Sequence, residues 1–149
     1  MSYKLQYLTN LSKKNRNFIL FLSKFSELNT INLPFDLHDY SKNKEFVNSI
    51  KSSKYLELNI LHSKNDTIIN LHIYLIDSKS ANYLELGASI FNKFDSLSIN
   101  NLTFIFSKNS KFLIKPTCAD IIYGFLSKSY KFDKNINNKN DKSEKTLNL

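Results

Sequence analysis

The stretch Asp120-Ile-Ile-Tyr-Gly-Phe-Leu-Ser-Lys-Ser-Tyr-Lys-Phe-Asp-Lys134 joins an amphipathic helical pattern to an aromatic, basic segment. Thr117 and Asp120 have the spacing of a capping box, and Pro116 precedes them, so a helix is predicted to begin near Thr117. Its apolar residues recur at steps of three and four and are expected to share one buried face. They are Cys118, Ile121, Ile122, Phe125 and Leu126.

Gly124 lies on or beside this predicted buried face. A glycine inside a helix costs roughly 1 kcal/mol relative to alanine. The expected compensation is a neighbouring backbone that packs too close to leave room for a side chain. The helix is therefore predicted to dock tightly on another element.

Upstream of this helix, five segments have the alternating or continuous apolar pattern of β-strands. They are Tyr3–Leu8, Phe18–Leu22, Tyr55–Leu61, Ile68–Ile76 and Leu102–Phe106. The second is a continuous apolar run, as expected for a central strand that is covered on both faces. The third and fourth flank the turn-like residues Lys64–Asp66 and are expected to form a hairpin.

Two more helices are predicted between the strands. Asp36–Ile50 has a partial helical period, and a helix capped by Ser80 carries an apolar stripe from Tyr83 to Phe94. The chain therefore has a strand, a helix and a strand in this order, followed by the helix from Thr117. This order predicts an α/β domain with three layers, in which a mixed sheet is flanked by helices. The domain is expected to span residues 1–134, and residues 135–149 are predicted to be a polar, mobile tail.

The composition favours a single soluble domain. The net charge of +8 and a pI near 9.5 are compatible with a basic module that binds nucleic acid, because clustered cations release counterions from phosphates. However, Arg16 is the only arginine, and arginine is the preferred reader of guanine edges, so nucleic-acid binding is the less favoured alternative. No apolar run is long enough for a signal peptide or a membrane span, which predicts a cytoplasmic protein without membrane contact.

No catalytic, metal-binding or cofactor-binding residue can be assigned from the sequence. The three histidines, His38, His62 and His72, have no partner at the spacing of a helical zinc motif. Only two glycines occur, and both fall in predicted helices, so the glycine-rich loop of a nucleotide site is not predicted.

Two motifs resemble the amino-terminal domain of the leucine (cytosol) aminopeptidases. The run Tyr123–Lys134 is similar to the end of that domain, where a glycine-containing helix leads into a Tyr-Arg-Phe-Asp-Lys exit sequence. Tyr83-Leu-Glu-Leu-Gly-Ala-Ser-Ile90 looks like a second helix of the same domain. Lys131 stands where the family usually has arginine, and Asn135 stands where an aromatic residue is usual.

The resemblance implies a macro-domain-like fold and a non-catalytic, structural role in assembly. In the full-length family, two divalent metals such as zinc or manganese support the release of amino-terminal residues from peptides, and they belong to a carboxy-terminal catalytic domain that this chain is expected to lack. The chain alone is therefore expected to be inactive, as a truncated, split or decayed gene product. Its expected partners are an aminopeptidase catalytic domain or further copies of itself, with Tyr130 and Phe132 as predicted interdomain contacts and the tail as the start of a linker.

Overall fold

The computed structural model describes residues 3–6, 16–62, 67–76, 82–95, 97, 99, 101–110, 113–135 and 145–149. Strands and helices alternate along these ranges. In chain order they are β1 (Tyr3–Gln6), β2 (Asn17–Leu22), a 3-10 helix (Phe25–Thr30), α1 (His38–Lys42), α2 (Lys44–Ser53), β3 (Tyr55–His62), β4 (Thr67–Leu75), α3 (Tyr83–Asp95), β5 (Asn101–Phe106), α4 (Lys115–Asn135) and β6 (Lys145–Asn148).

The strands form one mixed sheet in the order β1-β6-β5-β2-β4-β3. Strand β2 lies between β5 and β4 and is parallel to both, which confirms that the apolar run Phe18–Leu22 is a central strand. Strands β3 and β4 pair antiparallel from Tyr55 opposite Tyr74 to His62 opposite Thr67, so the predicted hairpin is confirmed. Its turn residues, 63–66, lie outside the described residues.

Both faces of the sheet are covered, which confirms the predicted three-layer α/β fold. Along β2, Ile19 and Phe21 join the apolar cluster beneath α3 and α4. The alternate residues Phe18, Leu20 and Leu22 join a second cluster with the 3-10 helix and α2. Side chains of a strand alternate between faces, so a run that is apolar at every position supplies both cores.

The two glycines meet where α3 crosses α4. A Cβ atom built on Gly124 would lie 2.0 Å from the carbonyl oxygen of Leu84 on α3. Reciprocally, a Cβ on Gly87 would lie 2.0 Å from the carbonyl oxygen of Ile121 on α4. The predicted close approach of a neighbouring backbone to Gly124 is thus confirmed, and α3 is the helix that makes it.

Helix α4 is longer at both ends than the sequence pattern predicts. It begins at Lys115, so Thr117 lies inside the first turn, and the prediction that Thr117 caps the helix is wrong. It runs to Asn135, so the predicted exit sequence Tyr130–Lys134 is helical. The chain has no proline or glycine between Gly124 and Asn135, and therefore no residue there stops the helix.

Three other segments differ from the prediction. The predicted helix over Asp36–Ile50 is two helices, because Asn43 has an extended backbone and its side chain caps α2. The polar connection after β2 contains the 3-10 helix. Asn82 accepts a hydrogen bond from the backbone N–H of Glu85 (3.1 Å) and so performs the capping predicted for Ser80, which lies outside the described residues.

The chain end also differs from the predicted mobile tail. Strand β6 lies between β1 and β5 and is parallel to both, and Leu149 packs against the core beneath α3 and α4. A strand of four residues with a single apolar side chain has almost no pattern of its own, so its place depends on the neighbouring strands. Residues 136–144 lie outside the described residues.

Candidate functional site

The carboxyl ends of β2, β4 and β5 meet at one edge of the sheet, which is where open α/β sheets usually bind ligands. Here the carboxylate of Glu27, a buried residue of the 3-10 helix, accepts hydrogen bonds from the Ser23 backbone N–H (3.0 Å) and from the Ser23 hydroxyl, directly after β2. Ser107, directly after β5, is also buried, and its hydroxyl has no hydrogen-bond partner among the described residues. A carboxylate at this position disfavours a phosphate ligand, because the two charges repel each other.

A cleft of about 770 Å³ lies on the α2 side of the sheet, beneath the segment that joins the 3-10 helix to α1. Its lining includes Leu28, Leu33, Phe35, Asp36 and Lys42. The lining contains no glycine, so the backbone does not form the kind of loop that cradles phosphates. The lining of the cleft combines apolar side chains with one acidic and one basic side chain.

A polar cluster lies on the opposite face of the sheet, beneath α3. The register of the hairpin sets Glu57 opposite His72, and α3 brings Lys93 over the ring of Tyr55, with its Nζ atom 3.7 Å from the ring centroid. The Tyr55 hydroxyl lies 2.7 Å from His72 Nδ1 and 3.1 Å from Glu57 Oε2, and it accepts a hydrogen bond from Lys93 Nζ. We call these four residues the hairpin cluster.

Burial sets the protonation states in the hairpin cluster. His72 is only 1% exposed, and burial lowers its pKa to about 4, with Lys93 adding to this effect and Glu57 opposing it. Burial, with smaller contributions from Tyr74 and Glu57, raises the pKa of Tyr55. The imidazole and the phenol are therefore both neutral at pH 7.

The hairpin cluster is a closed hydrogen-bond network that joins the β3–β4 hairpin to α3. His72 Nδ1 is already engaged by the Tyr55 hydroxyl, and the ring packs edge-on against Phe94 at a centroid distance of 4.5 Å. An imidazole whose pKa is lowered to about 4 by burial is a weak base, and the Nδ1 atom of His72 is already hydrogen-bonded, so His72 is poorly placed to act as a general base at pH 7. The contribution of this network is thus positional, and the sequence analysis missed it, because the one-to-one register of a hairpin is needed to bring Glu57 to His72.

The predicted interdomain residues Tyr130 and Phe132 lie in the last turns of α4, and their side chains are outside the described part of the chain. Apolar surface is described nearby, at the crossing of the two helices. Tyr123, which precedes Gly124, is 66% exposed, and Leu84 on α3 is 44% exposed. Helices α3 and α4 therefore expose one large side chain each, Leu84 and Tyr123, beside their crossing.

Two classes of site receive no support from the described residues. No group of three or more His, Cys, Asp or Glu side chains among them is arranged to hold a metal ion. Within the same ranges, no helix combines the length and the apolar character that are needed to cross a membrane.

Comparison with known proteins supports the fold. No model of a known protein family matches the sequence, and no curated protein sequence matches it. Among solved structures, the chain is similar to a mutant of tomato leucine aminopeptidase, with a TM-score of 0.53 and 11% sequence identity.

The similarity covers 99% of this chain but only 32% of the tomato chain. At this level of identity the likeness shows the fold alone. The class is therefore a three-layer α/β domain, and this fold is similar to one part of a leucine aminopeptidase.

Proposed function

We propose that this chain is a non-catalytic domain of the leucyl aminopeptidase type, equivalent to the amino-terminal domain of that family, and that its role is structural, in assembly. The observation that carries the proposal is the fold similarity over 99% of the chain to part of a leucine aminopeptidase. No feature of the described residues favours the nucleic-acid alternative.

The contact between α3 and α4 adds support from the sequence. The two motifs that resemble the aminopeptidase domain each contain one of the two glycines of the chain, Gly87 and Gly124. These glycines meet at the helix crossing, where neither position has room for a Cβ atom. The two motifs are thus two halves of a single structural feature, so their joint occurrence is more informative than two separate short matches.

Contacts among the described residues are of a kind that a structural role requires. In the proposal, the two divalent metals of the family belong to a separate catalytic domain. The hairpin cluster positions the sheet against α3, and the exposed Tyr123 and Leu84 offer a surface to a partner.

A leucyl-amide hydrolysis assay tests the non-catalytic part of the proposal. The purified chain is expected to show no turnover of leucyl p-nitroanilide, with or without added manganese or zinc. Metal-dependent turnover that co-elutes with a homogeneous sample, and that is lost when the chain is removed by its affinity tag, would contradict it.

The proposed role in assembly can be tested by cross-linking in the source cells, followed by mass spectrometry of the proteins that are cross-linked to this chain. The expected partner contains a metallopeptidase catalytic domain, and Tyr123→Ser should weaken its capture more than Lys128→Ser, a control at an exposed position of the same helix. The proposed role in assembly would be overturned if the captured proteins included no peptidase and if Tyr123→Ser did not change their capture.

A further inference from the structure

The sheet ends on one side at β3, an edge strand that has little of the usual protection among the described residues. Edge strands commonly carry a proline, a bulge or several charges, which prevent pairing with another chain. Strand β3 spans eight residues, pairs with β4 one-to-one without a bulge and contains no proline. Apart from His62, the only acidic or basic side chain of β3 is Glu57, and its Oε2 atom lies 3.7 Å from the Nζ atom of Lys93.

Two backbone hydrogen bonds of β4 show which backbone groups of β3 face outward. The N–H of Leu75 donates to the carbonyl of Lys54 (2.9 Å), and that of Asn70 donates to Arg16, on the far side of β4 (2.7 Å). Antiparallel pairs alternate between hydrogen-bonded and non-hydrogen-bonded positions. The even-numbered residues of β3 therefore bond to β4, and the odd-numbered residues direct their N–H and C=O groups to the free edge.

The side chain of Ser53 confirms this assignment at one end of the edge. Its hydroxyl donates to the carbonyl of Tyr55 (2.5 Å) and lies 3.4 Å from the N–H of the same residue. Further along the edge, the outward backbone groups of Glu57, Asn59 and Leu61 are not paired with any described residue. Three consecutive outward positions are thus available to another strand.

The side chains of β3 are complementary to a second copy of themselves. In an antiparallel pairing about a two-fold axis at Leu58, Glu57 of one copy is opposite Asn59 of the other, a carboxylate facing an amide. Tyr55 is opposite Leu61, which is 66% exposed in the single chain, and Leu56 is opposite Ile60. A register centred on Glu57 would set two carboxylates together, and one centred on Asn59 would set Glu57 against Leu61. Of these three registers, the one centred on Leu58 matches charge and apolar character at every pair.

We infer that the β3 edge is a homodimer interface, in which two copies pair antiparallel about Leu58 and join their sheets into one. The Glu57 and Asn59 pairs would add about four backbone hydrogen bonds. The pairing would also cover the exposed side chain of Leu61. Its cross-strand neighbour Ile68 lies on the same face of the sheet and is 57% exposed, so the two side chains together form an apolar surface at this end of the edge. This inference goes beyond the proposed function and depends on the strand edge, not on the aminopeptidase resemblance.

The two-fold axis gives a sharp test by disulfide trapping of the full chain. Cys118 is the only native cysteine, so Cys118→Ser provides a clean background. Non-hydrogen-bonded pairs bring Cα atoms to about 4.5 Å, which a disulfide can bridge. In this background, Leu58→Cys should cross-link rapidly under mild oxidation, at least ten times faster than Leu56→Cys, a control on the same face of the same strand that does not meet its own copy.

Sedimentation equilibrium gives an independent readout without cysteines. The native chain is expected to dimerise, and Leu61→Lys should weaken the dimer at least tenfold, while Ile114→Lys, an equal charge change at an exposed apolar residue just before α4, should leave it unchanged. A monomer at millimolar concentration, equal cross-linking of the two cysteine variants, or disruption by Ile114→Lys in place of Leu61→Lys would overturn the inference. None of these outcomes depends on whether a peptidase partner exists.

Discussion

Replacement of Gly124 by alanine is the most direct probe of the helix crossing. The added Cβ would lie 2.0 Å from the carbonyl oxygen of Leu84 and 2.9 Å from its Cα atom. An ordinary contact begins near 3.4 Å, so the two helices must separate locally by roughly 1.4 Å, a distance that a packed interior resists. The obstructing atoms are backbone, so no rotamer change can relieve the clash.

Two opposing effects decide the magnitude. Alanine is favoured over glycine in a helix by about 1 kcal/mol. Overpacking of a close-packed core typically costs about 1 to 3 kcal/mol and occasionally more. Separating the helices also loosens the contact between Phe91 and Phe125, whose ring centroids lie 5.4 Å apart. Subtracting the gain from the cost, we expect Gly124→Ala to destabilise the fold by up to about 2 kcal/mol, and Gly124→Leu to cost at least as much.

Urea denaturation followed by circular dichroism measures this change, with Lys128→Ala as a control at an exposed position of the same helix. The control should change the free energy of unfolding by only a few tenths of a kcal/mol. Gly87→Ala combined with Gly124→Ala should cost less than the sum of the single changes, because one separation of the helices relieves both clashes. A Gly124→Ala variant stabilised by about 1 kcal/mol would refute the close crossing, since that is the gain in helix propensity alone.

Three further predictions concern the hairpin cluster, a helix cap and the end of α4. The pKa of the His72 imidazole is about 4 in the folded chain, and its ordinary value is 6.5, so between these pH values the unfolded chain binds more protons than the folded chain. The contribution of neutral His72 to the free energy of unfolding should therefore be fully present above pH 6.5. It should be lost as the pH drops to 4, by at most about 3 kcal/mol. Denaturation midpoints at pH 7 and 4.5 should show a smaller difference in His72→Gln than in the native chain, and equal differences would contradict the buried neutral imidazole. Asn82→Ala should cost about 1 kcal/mol in thermal unfolding through loss of the α3 cap, whereas Asn48→Ala, at an exposed position inside α2, should be neutral or stabilising. Tyr130→Ser combined with Phe132→Ser should weaken binding of a catalytic partner while the circular dichroism spectrum stays native, and full retention of the partner would remove these residues from the interface.

Much of the fold could be predicted because the decisive patterns are local. The run Phe18–Leu22 is apolar at every position, and only a strand covered on both faces buries all of it. The apolar period of α4 and the glycine within it predicted a buried face and a close neighbour, since both follow from helix geometry. These features require no knowledge of which distant residue lies opposite.

The hairpin cluster could not be predicted in the same way, because it depends on the register in which β3 pairs with β4. A hairpin centred on the predicted turn Lys64–Asp66 would place Glu57 opposite Ile73, whereas the structure places it opposite His72. A slip of one residue moves every side chain to the other face of the strand. Periodicity is unchanged by such a slip, so it could not identify the hairpin cluster.

The fold class, the central strand, the hairpin and the need for a close contact at Gly124 could be predicted from the amino-acid sequence, because each follows from the spacing of apolar residues and glycine along a continuous segment. The three-dimensional structure was needed to show that α3 supplies this contact, that Lys145–Asn148 enters the sheet and that β3 is left at its edge. These features could not be predicted because they are contacts between segments far apart in the chain. Their energies depend on which surfaces meet, and a local pattern specifies a surface without specifying its partner.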